Sequence, residues 1–175
     1  MWDFERRRTV YDVIVELKSL HNIMKFNMFE TAKLTSGYLL GDILNRMLSV
    51  SENHGEKPTK MMMYSAHDNT LLSLTHLLKI ANNRIIPYAA CLIIELYEYE
   101  SEDGEGGEFL IEILFRNQTF GSEIHRLKIP GCHIDDGTKF SGYCRLRNLV
   151  RISRYSTLFP IARRNKVCKI ERKEI

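Results

Sequence analysis

The stretch Met61–Leu74, MMMYSAHDNTLLSL, decides the fold prediction for this chain. It begins with a wholly apolar block, Met61–Tyr64, in which apolar and polar residues do not alternate. Such a block is typical of a central strand that is covered on both faces, and strands of this kind usually belong to a parallel α/β sheet. We therefore expect an α/β protein with a buried strand that ends near Ser65.

The second half of the stretch predicts a helix. Leu71 and Leu74, together with Leu78 just after the stretch, recur at helical spacing. The helix should start near Asn69 and Thr70, because both residue types are good N-caps. His67 and Asp68 then lie on a turn between a strand and a helix.

Other segments show equally simple periodicities. An amphipathic helix is predicted between Thr9 and Phe26, and a second one is predicted after Ser36 and Gly37, over residues 39–48. Residues 51–60 read as an exposed loop. Two alternating segments, 91–99 and 109–115, flank the turn-rich sequence SEDGEGG and predict a β-hairpin, whereas the residues after Gly121 read mainly as loop.

Composition narrows the class of protein. The 175 residues are enough for one globular domain, and no apolar run approaches the ~20 residues that span a bilayer. The N-terminus, MWDFERRR, does not resemble a signal peptide. Residues 145–175 carry ten Lys and Arg against two Asp and Glu, so residues 151–175 form a basic tail that we expect to be partly disordered. No nucleic-acid-binding motif accompanies this tail, and no nucleic-acid partner is expected.

The His-Asp pair suits phosphate chemistry. Open α/β sheets bind ligands at the carboxyl ends of their strands, and a helix N-terminus favours anions. His67 can hydrogen-bond a phosphoryl oxygen, and Asp68 beside a bound phosphate can keep a proton and give it to a leaving alcohol. One alternative stays open at this point: Asp68 only caps the helix and His67 fills a turn. Metal binding by the pair would need further His and Asp ligands. The other histidines and the four cysteines form no metal-ligand spacing, so no metal is expected.

The sequence YSAHDNTLLSL resembles the second signature of the histidine acid phosphatases, the branch that includes the prostatic and lysosomal enzymes. The segments SGYLLGDILNRM, IIPYAACLIIELYE, FLIEILFRNQT and LKIPGC resemble further family segments in the same order. The resemblance covers residues 10 to 150. It implies an incomplete histidine phosphatase (phosphoglycerate mutase-like) three-layer fold, with residues 1–150 as the C-terminal part of the domain.

The resemblance also implies roles for individual residues. Asp68 matches the proton donor and His67 matches the phosphate-contacting histidine of enzymes that hydrolyse phosphate monoesters through a phosphohistidine. The resemblance implies no cofactor and a lysosomal or secreted location. It also implies a dimer, because family members are often dimeric. Asn117 begins a sequon at a position that is commonly glycosylated in the family. Cys132 and Cys144 match a disulfide of the family, although their spacing in this sequence is longer. Cys91 matches a family cysteine whose partner lies in the N-terminal half of the family domain.

One departure from the family is large. Its nucleophilic histidine belongs to an RHGxRxP motif, and these 175 residues contain no RHG. Proton donation alone contributes about 10²–10⁴-fold and cannot replace a nucleophile. We therefore expect a fragment that is weakly active or inactive as a phosphatase, either a truncated gene product or an incomplete gene model, or else an inactive family member that binds phosphate compounds or a protein.

Overall fold

The computed structural model describes residues 8–52, 59–100, 107–117, 123–135, 137 and 139–169. Along the described chain, three helices are followed by a small antiparallel sheet and then by two further helices, which makes it a mixed α/β structure. The elements in chain order are α1 (Val10–Phe26), α2 (Phe29–Ser51), α3 (Asp68–Leu77), β1 (Cys91–Glu100), β2 (Gly107–Arg116), β3 (His125–Leu127), β4 (Cys144–Arg145), α4 (Leu146–Ser153) and α5 (Ile161–Val167).

Helix α1 forms where its periodicity predicted it. Thr9 and Asp12 make a capping box, in which Thr9 Oγ1 accepts from the Asp12 N–H at 3.2 Å and Asp12 Oδ2 accepts from the Thr9 N–H at 2.7 Å. The apolar face of the helix is nevertheless largely exposed, because only the last residue, Phe26, is buried. Leu17 and Met24, for example, are 60% and 63% exposed.

Helix α2 is longer than the sequence predicted. It starts at Phe29 and carries Ser36 and Gly37 inside it, whereas these two residues were expected to precede the helix. Glycine is tolerated there because the chain packs closely on that side: a Cβ on Gly37 would lie 2.6 Å from the Ser156 carbonyl oxygen.

The predicted β-hairpin is present. β1 and β2 pair antiparallel over ten residues each, from Cys91 opposite Arg116 to Glu100 opposite Gly107. β2 is central, with β3 and β4 also antiparallel to it. Alternate residues of the hairpin face the core, which is why Ile111 and Ile113 are only 1% and 3% exposed.

The main hydrophobic core lies between this sheet and the helices. It contains buried residues from α2, α3, β2, α4 and the connecting loops, and the larger of them are Leu40, Leu44, Leu74, Leu77, Leu78, Ile111, Ile113, Ile129, Leu146 and Leu149. Helix α3 is therefore held on the body of the protein by its leucine face, and its N-terminus carries the His-Asp pair.

The predicted buried strand at Met61–Tyr64 is wrong. These residues form no strand and are exposed, with Met61 and Met63 at 72% and 78%. The described sheet is antiparallel throughout and contains no neighbour for this segment. A strand needs a partner for its backbone N–H and C=O groups, and the described part of the chain offers none here.

Residues 151–169 of the predicted basic tail lie within the described ranges. α4 ends at Ser153, and α5 follows after a short connection. Between them Leu158 is completely buried, and its backbone N–H donates to the Gly37 carbonyl at 2.9 Å. Residues 170–175 lie outside the described ranges.

Candidate active site at the head of helix α3

His67 and Asp68 lie side by side at the start of α3. His67 is the N-cap residue, with extended backbone angles of φ −111° and ψ 166°, and Asp68 is the first helical residue. Both side chains are exposed to solvent. The helix thus begins one residue before the predicted Asn69, and Asp68 does not act as the N-cap.

Backbone hydrogen bonds close the first turn of α3. The N–H groups of Thr70 and Leu71 both donate to the His67 carbonyl, at 3.0 and 3.2 Å. The Asn69 N–H donates to Asp68 Oδ1 at 2.7 Å. The Asp68 carboxylate therefore already accepts from an amide that an anion at this helix end would use.

Helix α2 contacts the segment from Tyr64 to Thr70, here called the seam, on both sides of this pair. Ser36 Oγ donates to the Thr70 carbonyl at 3.0 Å, after the pair. Before it, the Tyr64 hydroxyl donates to Asp42 Oδ2 at 2.7 Å. Arg46 Nε donates to the same carboxylate oxygen at 2.9 Å.

These contacts change the acidity of Asp42 and Tyr64. Burial works against ionisation of Asp42, but the hydrogen bonds from Arg46 and Tyr64 outweigh it and hold its pKa below the ordinary value. Burial and then the hydrogen bond to Asp42 raise the pKa of Tyr64. Sequence reasoning missed this group; the i,i+4 spacing of Asp42 and Arg46 was a signal for the ion pair, but nothing in the sequence pointed to Tyr64.

One cleft of the molecule is lined partly by α3, but His67 and Asp68 do not line it. An open cleft of about 510 Å³ is lined by Asn27, Phe29, His76, Lys79 and Asn83 among others. His76 lies at the other end of α3, a helix about 15 Å long. Burial lowers the pKa of His76, which favours its neutral form.

The remaining predicted sites are scattered. Cys132 and Cys144 form a disulfide with a Cα–Cα distance of 5.1 Å, and Cys91 is a free, exposed thiol. Asn117 follows β2 directly and is partly buried, while the other sequon residues, 118 and 119, lie outside the described ranges.

In the described ranges, no three His, Cys, Asp or Glu side chains are grouped so that they could hold a metal ion. Nor does any helix there have the length and apolarity needed to cross a membrane.

Known proteins similar to this chain are acid phosphatases. Bovine (Bos taurus) prostatic acid phosphatase is 37% identical over 133 residues, which are 75% of this chain and 32% of that protein. Mouse (Mus musculus) testicular acid phosphatase is 41% identical over 107 residues, 59% of this chain and 24% of that protein. Human (Homo sapiens) lysosomal acid phosphatase is 36% identical over 107 residues, 61% of this chain and 23% of that protein.

The chain thus spans at most about a third of the length of these relatives. The family model described as histidine phosphatase superfamily (branch 2) matches residues 11–116, which include α1 apart from its first residue, α2, α3 and the hairpin. His67 and Asp68 lie inside the matched region. The chain belongs to the histidine phosphatase superfamily, branch 2.

Proposed function

We propose that the chain supplies the proton-donor half of an acid phosphatase site for phosphate monoesters. Asp68 is the proton donor, and His67 contacts the phosphoryl group. The observation that carries this proposal is the position of the pair: both side chains are exposed at the N-terminus of α3, within the region that matches the family. The acid phosphatase names of the relatives support the same reaction class.

The chemistry needs little from the chain itself. A phosphoryl group at the head of α3 carries negative charge toward the positive end of the helix dipole, and His67 can donate to one of its oxygens. When the ester P–O bond breaks, the leaving oxygen takes the electron pair and the proton of Asp68, so an alcohol departs. Because Asp68 Oδ1 already accepts from the Asn69 N–H, the second oxygen of the carboxyl group is the one that carries the proton.

The nucleophile has to come from elsewhere. These 175 residues contain no RHG sequence, and the chain covers about a third of its relatives. Hydrolysis through a phosphohistidine therefore requires a nucleophilic histidine from outside these 175 residues. By family, a lysosomal or secreted location, glycosylation at Asn117 and dimer formation belong to the same proposal.

A second candidate function is favoured by the missing nucleophile: a family member that binds phosphate compounds, or a protein partner, without hydrolysing them. The two candidates share the anion contact at His67 and differ in turnover. Binding with no vanadate-sensitive hydrolysis supports this second function.

The test measures binding and turnover on the same samples. Binding of inorganic phosphate and hydrolysis of an aryl phosphate at mildly acidic pH are compared for the 175-residue chain, Asp68→Asn and His67→Ala. Asp135→Asn and His21→Ala are matched controls, because both residues are exposed and neither belongs to α3. We expect His67→Ala to weaken phosphate binding and Asp68→Asn to abolish any turnover. Measurable turnover that is equal in the chain and in Asp68→Asn removes Asp68 from the mechanism, whereas phosphate binding with no turnover in either protein supports the second candidate function.

A further inference from the structure

Two contacts from one helix enclose the His-Asp pair. On α2, Ser36 and Asp42 are six residues apart; on the seam, their partners Thr70 and Tyr64 are also six residues apart, and the order is reversed. The seam therefore runs antiparallel along α2 and is fixed to it at both ends. His67 and Asp68 lie between the two fixed points.

The contacts before the pair are sparse. Backbone hydrogen bonds in the described part of the chain include none from Met61–Ala66. In the described part of the chain, the segment is tied to α2 through the Tyr64 side chain, which donates to Asp42 and also interacts with Arg46. Thr70, after the pair, belongs to a helix whose leucines are buried in the core. The approach to His67 thus depends on one side chain, whereas the residues after Asp68 are held by a packed helix.

The acceptor of this hydrogen bond is itself fixed. Arg46, one helical turn after Asp42, donates to the same carboxylate oxygen as Tyr64. The Asp42 side chain is 20% exposed and that of Arg46 is 50% exposed. A hydrogen bond to an ionised carboxylate is about twice as strong as one between neutral groups. Because the pKa of Asp42 lies below its ordinary value, this carboxylate stays ionised at the mildly acidic pH at which the proposed reaction would run.

We propose that Tyr64 and Asp42 are positioning residues, and that their hydrogen bond holds His67 in place to contact a phosphoryl group at the head of α3. Arg46 supports them by orienting the Asp42 carboxylate. This inference rests on the function proposed above, since it assigns a role in the same site. None of the three residues touches the reacting atoms.

The experiment compares the 175-residue chain with Tyr64→Phe and Asp42→Asn, and it uses inorganic phosphate as the probe. Tyr155→Phe is the matched control, since it removes the same hydroxyl from a side chain that is 73% exposed. NMR reports the His67 imidazole signals without phosphate, and a titration gives the Kd. If the competent conformation falls to a tenth of the population, the Kd rises roughly tenfold. In both variants we expect that rise in Kd together with broadened or shifted His67 signals. In the control we expect neither change.

A purely structural role predicts a different pattern. It would lower the thermal midpoint and leave the His67 signals and the phosphate Kd of the folded fraction unchanged, and that result overturns the inference. Asp42→Asn keeps the side-chain shape, so it decides the question if Tyr64→Phe does not fold. If the unaltered chain binds no phosphate, the proposed function fails, and the imidazole signals still decide whether Tyr64 holds His67.

Discussion

The backbone N–H of Leu158 donates to the carbonyl oxygen of Gly37 at 2.9 Å, and this bond joins the C-terminal segment to α2. Gly37 and Gly41 lie on the same face of the helix because they are four residues apart. Both face the segment from Ser156 to Phe159 at distances that leave no room for a side chain. Residues 156–159, within the basic C-terminal segment, are therefore packed against α2.

Gly41→Ala should destabilise the protein although alanine is the better helix former. A Cβ on Gly41 would overlap the Cβ of Phe159 and come within 3.2 and 3.3 Å of its backbone N and Cα, so the segment has to move. Such overpacking costs about 1–3 kcal/mol, against about 1 kcal/mol gained in helix propensity. We expect a lower urea midpoint. Asn45→Ala, at an exposed position of the same helix, should be neutral or slightly stabilising; equal effects of the two changes would contradict the close packing.

Leu158→Ala should cost about 2–5 kcal/mol, because a completely buried leucine leaves a cavity when it is truncated. Val167→Ala, in the same C-terminal region but 51% exposed, should change the free energy of unfolding by about 0.5 kcal/mol or less. Equilibrium unfolding in urea measures both values. A negligible effect of Leu158→Ala would mean that the segment is not docked on α2.

The disulfide between Cys132 and Cys144 should keep both cysteines from alkylation and should stabilise the folded protein. It closes a short loop, since the two residues are 12 apart, and a bridge of this size contributes about 3 kcal/mol. Alkylation without reductant should label the exposed Cys91 and Cys168 but neither Cys132 nor Cys144. Cys132→Ser should lower stability, whereas Cys168→Ser should not. Labelling of all four cysteines in the folded, unreduced protein would be inconsistent with the bridge.

The hydrogen bonds of Asp42 should make stability depend on pH in the acid range. Its pKa is lower in the folded than in the unfolded protein, so its contribution is fully present above the unfolded value of 3.8 and is lost as the pH falls through the folded value. Asp42→Asn should therefore destabilise by about 1 kcal/mol near pH 6 and by less at low pH. Urea unfolding of both proteins across this range measures the difference. A gap that stays constant down to the lowest pH would rule out an ionised Asp42 as the cause.

Local periodicity was sufficient for the elements that carry their own pattern. The helix from Val10 to Phe26 and the hairpin of β1 and β2 follow from spacing and alternation alone. The family resemblance, carried by YSAHDNTLLSL and the segments around it, was also evident and agrees with the family match. These features depend on residues that are close in sequence.

The failures have a different physical origin. An apolar block such as Met61–Tyr64 indicates an environment that covers it, and the sequence cannot tell whether the same chain provides that cover. The burial of Leu158 depends on two glycines more than 100 residues earlier, whose small size matters only once the segments meet. The bond from Tyr64 to Asp42 likewise joins residues 22 positions apart and has no periodic signal.

The most direct test of the central claim is an NMR titration of the 175-residue chain with inorganic phosphate at mildly acidic pH, followed at the backbone amides of Asn69 and Thr70. Phosphate that binds at the head of α3 should shift both amides with one common Kd, and His67→Ala should weaken that Kd while His21→Ala leaves it unchanged. Unshifted amides at saturating phosphate, or equal affinity in His67→Ala, would contradict a phosphate site at His67 and Asp68.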